Sequence, residues 1–113
     1  MATVRLREGA TIKPVSTAYL TEIKSKVDTR IELGEFVTLG RNPENTIALE
    51  DLYVSSRQAR IERKAIGFVI KDLRSRNGTF VNGSLIFETL LQDRDILRIG
   101  QTEFIFSGDQ KSN

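Results

Sequence analysis

Hydrophobic and polar positions alternate with a period of two over short stretches, and turn-forming residues break each stretch. In Y-L-T-E-I-K (19–24), Tyr19, Thr21 and Ile23 share a face. In T-R-I-E-L (29–33), Ile31 and Leu33 oppose Arg30 and Glu32. The chain turns at Gly34-Glu35 into F-V-T-L-G (36–40), and I-A-L (47–49) is a further short strand. A-R-I-E-R (59–63) alternates cleanly, and G-F-V-I-K-D-L (67–73) is rich in β-formers. T-F-V (79–81) and S-L-I (84–86) flank Asn82-Gly83, a strong hairpin signal. D-I-L-R-I-G (95–100) and T-E-F-I-F (102–106) meet at a tight turn, Gly100-Gln101. The longest helix candidate, residues 20–27, contains Thr, Ile and Val and is a poor one. Short strands with frequent turns predict an all-β fold, a β-sandwich of two antiparallel sheets.

A chain of 113 residues suits one domain. That domain is expected over 18–107, between a polar N-terminal tail (1–17, with Thr3, Thr11 and Thr17) and a C-terminal tail or start of a linker (108–113). Cysteine, histidine and tryptophan are all missing from the sequence. Without His and Cys the usual zinc ligands and nucleophile–base pairs are lost, so neither a metal, a cofactor nor a catalytic residue is expected. The net charge of +2, from 17 basic and 15 acidic groups, gives no broad field for nucleic acid. No apolar run approaches the roughly 18–20 residues that cross a bilayer. The opening residues also lack the apolar core of a secretory signal. The expectation is a cytoplasmic protein with no membrane partner.

Three loops carry more small polar residues and arginine than a core requires. They are G-R-N-P-E-N (40–45), D-L-Y-V-S-S-R-Q-A-R-I (51–61) and R-S-R-N-G-T-F-V-N-G (74–83). The last makes two Asn-Gly turns in ten residues, with Arg74 and Arg76 ahead of the first. In order, Gly40-Arg41, Ser55-Ser56-Arg57-Gln58, Ser75-Arg76-Asn77-Gly78-Thr79 and Asn82-Gly83 resemble the motifs of the forkhead-associated (FHA) domain, a phosphothreonine-binding β-sandwich. Residues 90–100 are similar to that family's closing segment, and the resemblance covers about 18–107.

The resemblance implies a non-enzymatic phosphothreonine-peptide-binding module with its binding loops at one end, the sensing part of a larger signalling protein. Its partner would be a phosphothreonine protein written by a Ser/Thr kinase. The chemistry agrees with this. A phosphothreonine presents nearly two negative charges and three acceptor oxygens, best met by a guanidinium and short donors on rigid loops. Arg41 supplies the N–H fork and Ser55 a hydroxyl or backbone donor; Ser56 and Arg76 assist. Asn77, donor and acceptor on one amide, suits the backbone of an extended peptide. Ser75 is expected to bond within its own loop, and Gly40 and Asn82-Gly83 to be structural.

Two positions depart from the family pattern. Gln58 stands where the family usually has a bracing His, and the freer Gln side chain is expected to leave the Ser55 loop slightly less fixed. Arg94 stands where Gly is common. Two further readings remain open at this level. The domain could bind its own tail, phosphorylated at Thr3, Thr11 or Thr17. Alternatively, it keeps the fold as a phosphate-independent docking domain.

Overall fold

The computed structural model describes residues 15–26 and 29–110, with side chains over 17–26 and 29–108. Thr3 and Thr11 lie outside the described residues. The strands are β1 (Val15–Glu22), β2 (Arg30–Glu32), β3 (Phe36–Gly40), β4 (Ile47–Ala48), β5 (Ala59–Lys64) and β6 (Gly67–Asp72). They continue with β7 (Thr79–Val81), β8 (Ser84–Ile86), β9 (Glu88–Leu90), β10 (Ile96–Ile99) and β11 (Thr102–Gln110). No helix occurs among the described residues.

Two sheets form, in the orders β2-β1-β11-β10-β7-β8 and β4-β3-β5-β6-β9. Alternation dictates what they bury between them. Ala18, Leu20, Leu97, Ile99, Phe104 and Phe106 of the first sheet face Val37, Leu39, Ala59, Ile61, Phe68 and Ile70 of the second, in one apolar core. Phe68 and Phe106 meet across it, their ring centroids 6.0 Å apart and their planes tilted by 60°. The all-β sandwich expected from the pattern is therefore present, with one refinement. The pairing Leu39↔Ile47 between β3 and β4 is parallel, so the second sheet is mixed.

The structure differs from the sequence expectation in three further places. The face shared by Tyr19 and Thr21 is the outer one; Ala18 and Leu20 fill the core instead. Strand β11 runs on to Gln110, because β1 starts early enough to pair with it, Thr17 opposite Asp109 and Val15 opposite Gln110. Strand β9 was not legible: its partner, β6, lies far back in the chain, and Val69↔Leu90 pairing defines it. Arg94 takes a left-handed backbone, φ 74°, a conformation that costs a side-chain-bearing residue about 1–2 kcal/mol. Its N–H bonds the Phe106 carbonyl at 2.7 Å, which holds it there.

The ladders also place the loops. Leu39 pairs with Ala59 and Ala59 with Asp72, so β3 ends, β5 begins and β6 ends at one level. In the other sheet Ile99 pairs with both Thr79 and Thr102. The connections 41–46, 49–58, 73–78 and 100–101 thus leave the sandwich at a common end.

Candidate functional site

Gly40 closes β3 where no side chain fits. A Cβ there would stand 2.3 Å from the Ser56 carbonyl oxygen and 2.6 Å from Asn45 Nδ2. This close approach lets two loops join through their backbones. Arg41 N donates to Ser55 O at 3.0 Å and Asn42 N to Ser56 O at 3.3 Å, while Asn45 Nδ2 reaches Ser56 O at 2.8 Å. The Arg41 side chain is thereby held beside the Ser55-Ser56 turn.

Ser55 is fixed from both sides. Its N–H donates to Gln58 Oε1 at 2.9 Å, and its Oγ accepts the N–H of Arg76 at 2.9 Å. The Ser55 hydroxyl hydrogen remains available to an anion. Gln58 is 0% exposed and ties the two sheets together: its Nε2 donates to Gly78 O at 2.9 Å and Thr79 Oγ1 at 3.1 Å. Its backbone N–H and C=O are bonded as well, to Leu39 O and Leu73 N. Gln58 thus takes the bracing position, bonded to both the Ser55 turn and the Gly78-Thr79 step. In this enclosed position both polar atoms of the side chain have partners.

The third loop hangs on Asp72, which the sequence reading missed. Its carboxylate accepts from Ser75 N (3.0 Å), Ser75 Oγ (2.6 Å) and Thr79 Oγ1 (2.7 Å). Ser75 Oγ in turn accepts from Gly78 N at 3.0 Å, so Ser75 does bond within its own loop. The available signal was the Asp-x-x-Ser spacing, which suits a side-chain-closed turn. Asn77 Nδ2 donates to Tyr53 O at 2.8 Å, joining this loop to the second one. Asn82-Gly83, at φ 51° and 83°, closes the β7–β8 hairpin as expected. It does more besides: Asn82 Oδ1 accepts from Ile96 N and its Nδ2 donates to Asp95, clasping the hairpin to β10.

Asp51 is the second residue missed. Its carboxylate accepts from Tyr53 N (2.9 Å), Gln101 N (2.8 Å) and Thr102 Oγ1 (2.8 Å), linking the Ser55 loop to the β10–β11 turn. Burial pushes the Asp51 carboxyl up, but these hydrogen bonds outweigh it and hold it below its usual 3.8. A depressed carboxyl stabilises the fold fully above its unfolded value, and that stabilisation disappears as the pH falls through the folded one. Asp51→Asn is therefore expected to lower the urea midpoint at neutral pH, with the gap to wild type narrowing in acid below the carboxylate range. A gap of constant size at both pH values would show that the ionised carboxyl contributes nothing.

All five residues singled out in the sequence come together. Arg41, Ser55, Ser56, Arg76 and Asn77 line one cavity of about 250 Å³, closed on its other side by Leu52, Tyr53 and Val54. The Arg41 and Arg76 guanidiniums form no ion pair among the described residues. Arg57, in the same loop, faces elsewhere and lines a separate polar cavity with Thr38, Asn42, Glu44 and Asn45. Tyr53 borders both the five-residue cavity and an adjoining one of about 220 Å³ floored by Phe80, Arg98 and Gln101.

A two-sheet sandwich whose loops bring hydroxyl, amide and guanidinium donors together at one end defines a recognition module for an anionic ligand. The family model of the FHA domain matches residues 37–100, and the chain belongs to that family. It is 38% identical over 69 residues to the oxoglutarate dehydrogenase inhibitor of Corynebacterium diphtheriae, covering 61% of this chain and 48% of the inhibitor. It is 37% identical over 71 residues to an ABC transporter ATP-binding/permease protein of Mycobacterium tuberculosis, covering 63% of this chain but 8% of the transporter. The chain thus spans about half, or much less, of these relatives. Among solved structures, Mycobacterium tuberculosis EmbR in complex with a low-affinity phosphopeptide superposes with a TM-score of 0.79 at 30% identity, over 90% of this chain and 28% of EmbR.

Proposed function

We propose that this chain is a phosphothreonine-peptide recognition module, the sensing part of a larger cytoplasmic signalling protein whose partner is marked by a Ser/Thr kinase. The observation that carries the reading is the convergence of Arg41, Ser55, Ser56, Arg76 and Asn77 on one cavity, with both guanidiniums unpaired among the described residues. In this reading Arg41 grips two phosphate oxygens, and the Ser55 hydroxyl, oriented by the Arg76 N–H it accepts, donates to a third. Ser56 and the Arg76 side chain add donors at the rim. Asn77 spends one amide hydrogen on Tyr53 O, and its Oδ1 and second hydrogen are left to hold the peptide backbone. The phosphopeptide bound by EmbR and the FHA family membership both support this assignment.

The module's work is binding rather than catalysis. Three or four charge-assisted contacts of about 1.5–3 kcal/mol each, less the cost of ordering a peptide, correspond to micromolar affinity. The phosphorylated N-terminal tail is one ligand of the right chemistry. Of its threonines, Thr17 sits inside β1 opposite Asp109, so its capture would require part of β1 to separate from β11.

Calorimetry with one threonine peptide in phosphorylated, phosphoserine and unmodified forms tests the reading. Binding is expected only with phosphate, and phosphoserine is expected to be weaker by the worth of one methyl group, roughly 1–3 kcal/mol. Equal affinity for the unmodified peptide would instead assign the loops to phosphate-independent docking.

A further inference from the structure

Alternation decides what the six-stranded sheet shows to solvent. With Leu20, Leu97, Ile99, Phe104 and Phe106 in the core, Tyr19, Thr21, Ile96, Arg98, Glu103 and Ile105 turn outward. At the centre of that face Ile96 and Ile105 pair across β10 and β11 and stand 39% and 37% exposed. Two residues along the same ladder Arg98 is paired with Glu103. Opposite charges so placed usually attract, yet these two form no salt bridge. The Arg98 guanidinium lies instead over the Phe80 ring, 4.2 Å from its centroid, with Nη1 3.5 Å from Gly100 O. That leaves most of its N–H edge open. Arg30 and Glu32 of β2 also face outward, Arg30 stacked on Tyr19 at 3.7 Å, and neither has an ion-pair partner among the described residues. The outer face of the other sheet differs: there Glu62 takes up both Arg60 and Lys64.

We propose that this face is a self-association surface. A second copy of the chain docks on it about a two-fold axis parallel to the strands and midway between β10 and β11. Such an axis lays each β10 over the partner's β11 at the same level along the strands. Ile96 then meets Ile105 of the partner subunit, Arg98 meets Glu103 of the partner subunit, and symmetry makes each contact twice. Charge selects this register. An axis on β11 would set Glu103 against its own equivalent, and one on β10 would do the same to Arg98. Sheets packed face to face with nearly aligned strands are the ordinary geometry of a sandwich. The strands β1, β11, β10 and β7 make a face about 19 Å wide, small for a specific interface, so the dimer is a reversible one. Because the axis parallels the strands, the loop ends of both copies point the same way. The dimer would present two five-residue cavities side by side to a doubly phosphorylated or dimeric partner, with a gain in avidity. That consequence rests on the phosphothreonine reading; the association itself does not.

Sedimentation of the chain from micromolar to millimolar concentration tests this, with Glu103→Arg and Arg98→Glu as separate variants and urea unfolding to check that each is folded. The wild type is expected to pass from monomer to dimer along the series. Each variant alone should associate about a hundredfold or more weaker, because like charges then face each other twice. An equimolar mixture of the two variants is expected to recover dimers containing one copy of each, since both crossed pairs are then complementary. Should either reversal unfold the chain, Glu103→Gln or Arg98→Gln replaces it, with a loss of about tenfold expected. A wild type that stays monomeric throughout would overturn the proposal. So would a dimer that the variants form as readily as the wild type, which would put the contact elsewhere, or two folded variants that fail to associate when mixed. None of these results bears on how a single copy binds a phosphopeptide, so the phosphothreonine reading stands or falls separately.

Discussion

Arg41→Ala is expected to weaken capture of a phosphothreonine peptide by about a hundredfold or more, roughly the worth of two charge-assisted hydrogen bonds. The loss should be confined to binding. The Arg41 link to the rest of the fold is its backbone N–H, 3.0 Å from Ser55 O, which alanine keeps. The side chain is exposed and forms no ion pair among the described residues, so stability should change by less than about 0.5 kcal/mol. Arg41→Lys restores the charge without the fork and is expected to recover only part of the affinity. Calorimetry for binding, with urea unfolding alongside it, separates the two effects. Undiminished phosphopeptide affinity in Arg41→Ala, in a folded protein, would sink the phosphate assignment.

Gln58→Leu is expected to cost about 2–4 kcal/mol of stability, because it strips partners from several groups at once. Leucine has similar volume, so the effect is one of pairing rather than packing. Ser55 N loses its acceptor, Gly78 O loses its donor, and Thr79 Oγ1 is left only its bond to Asp72. The damage also reaches the binding loops from within, since Gln58 is the side chain that connects the Ser55 turn to the Gly78-Thr79 step. Phosphopeptide affinity should therefore fall although no ligand contact has been removed. Gln58→His, which keeps one donor and one acceptor, is expected to restore most of both properties. Denaturant midpoints at constant slope measure the first effect. A Gln58→Leu protein within about 0.5 kcal/mol of wild type would show that the brace carries little.

Much of this could be foreseen from the sequence. Strand β3 begins and ends where alternation puts it, and β7 and β8 where the Asn-Gly signal does, because that hairpin is specified by residues that are neighbours in the chain. The five residues that line the loop cavity were singled out by their types and order, which carry a recognisable chemistry. What escaped was set by pairing at a distance. Residues 107–110 are turn-formers by composition, yet they extend β11 because Val15 and Thr17 lie alongside. Asp51 and Asp72 drew no attention in the sequence, although the Asp-x-x-Ser spacing of the second was a local signal. The first bonds Gln101, fifty positions on, and the second closes its own turn and reaches Thr79.

The amino-acid order alone determined an all-β chain, its main turns, and a set of cations and short donors suited to a phosphate. It could do so because alternation, turn propensity and side-chain chemistry are properties of single residues and their near neighbours. Only the tertiary structure decided that Arg41, Ser55, Ser56, Arg76 and Asn77 share one cavity, that Gln58 is enclosed with every polar atom paired, and that Ile96, Arg98, Glu103 and Ile105 meet on one outer face. Those outcomes depend on which strands lie side by side and on where a missing Cβ lets two loops touch. Such contacts join segments remote in sequence, and no local pattern encodes them.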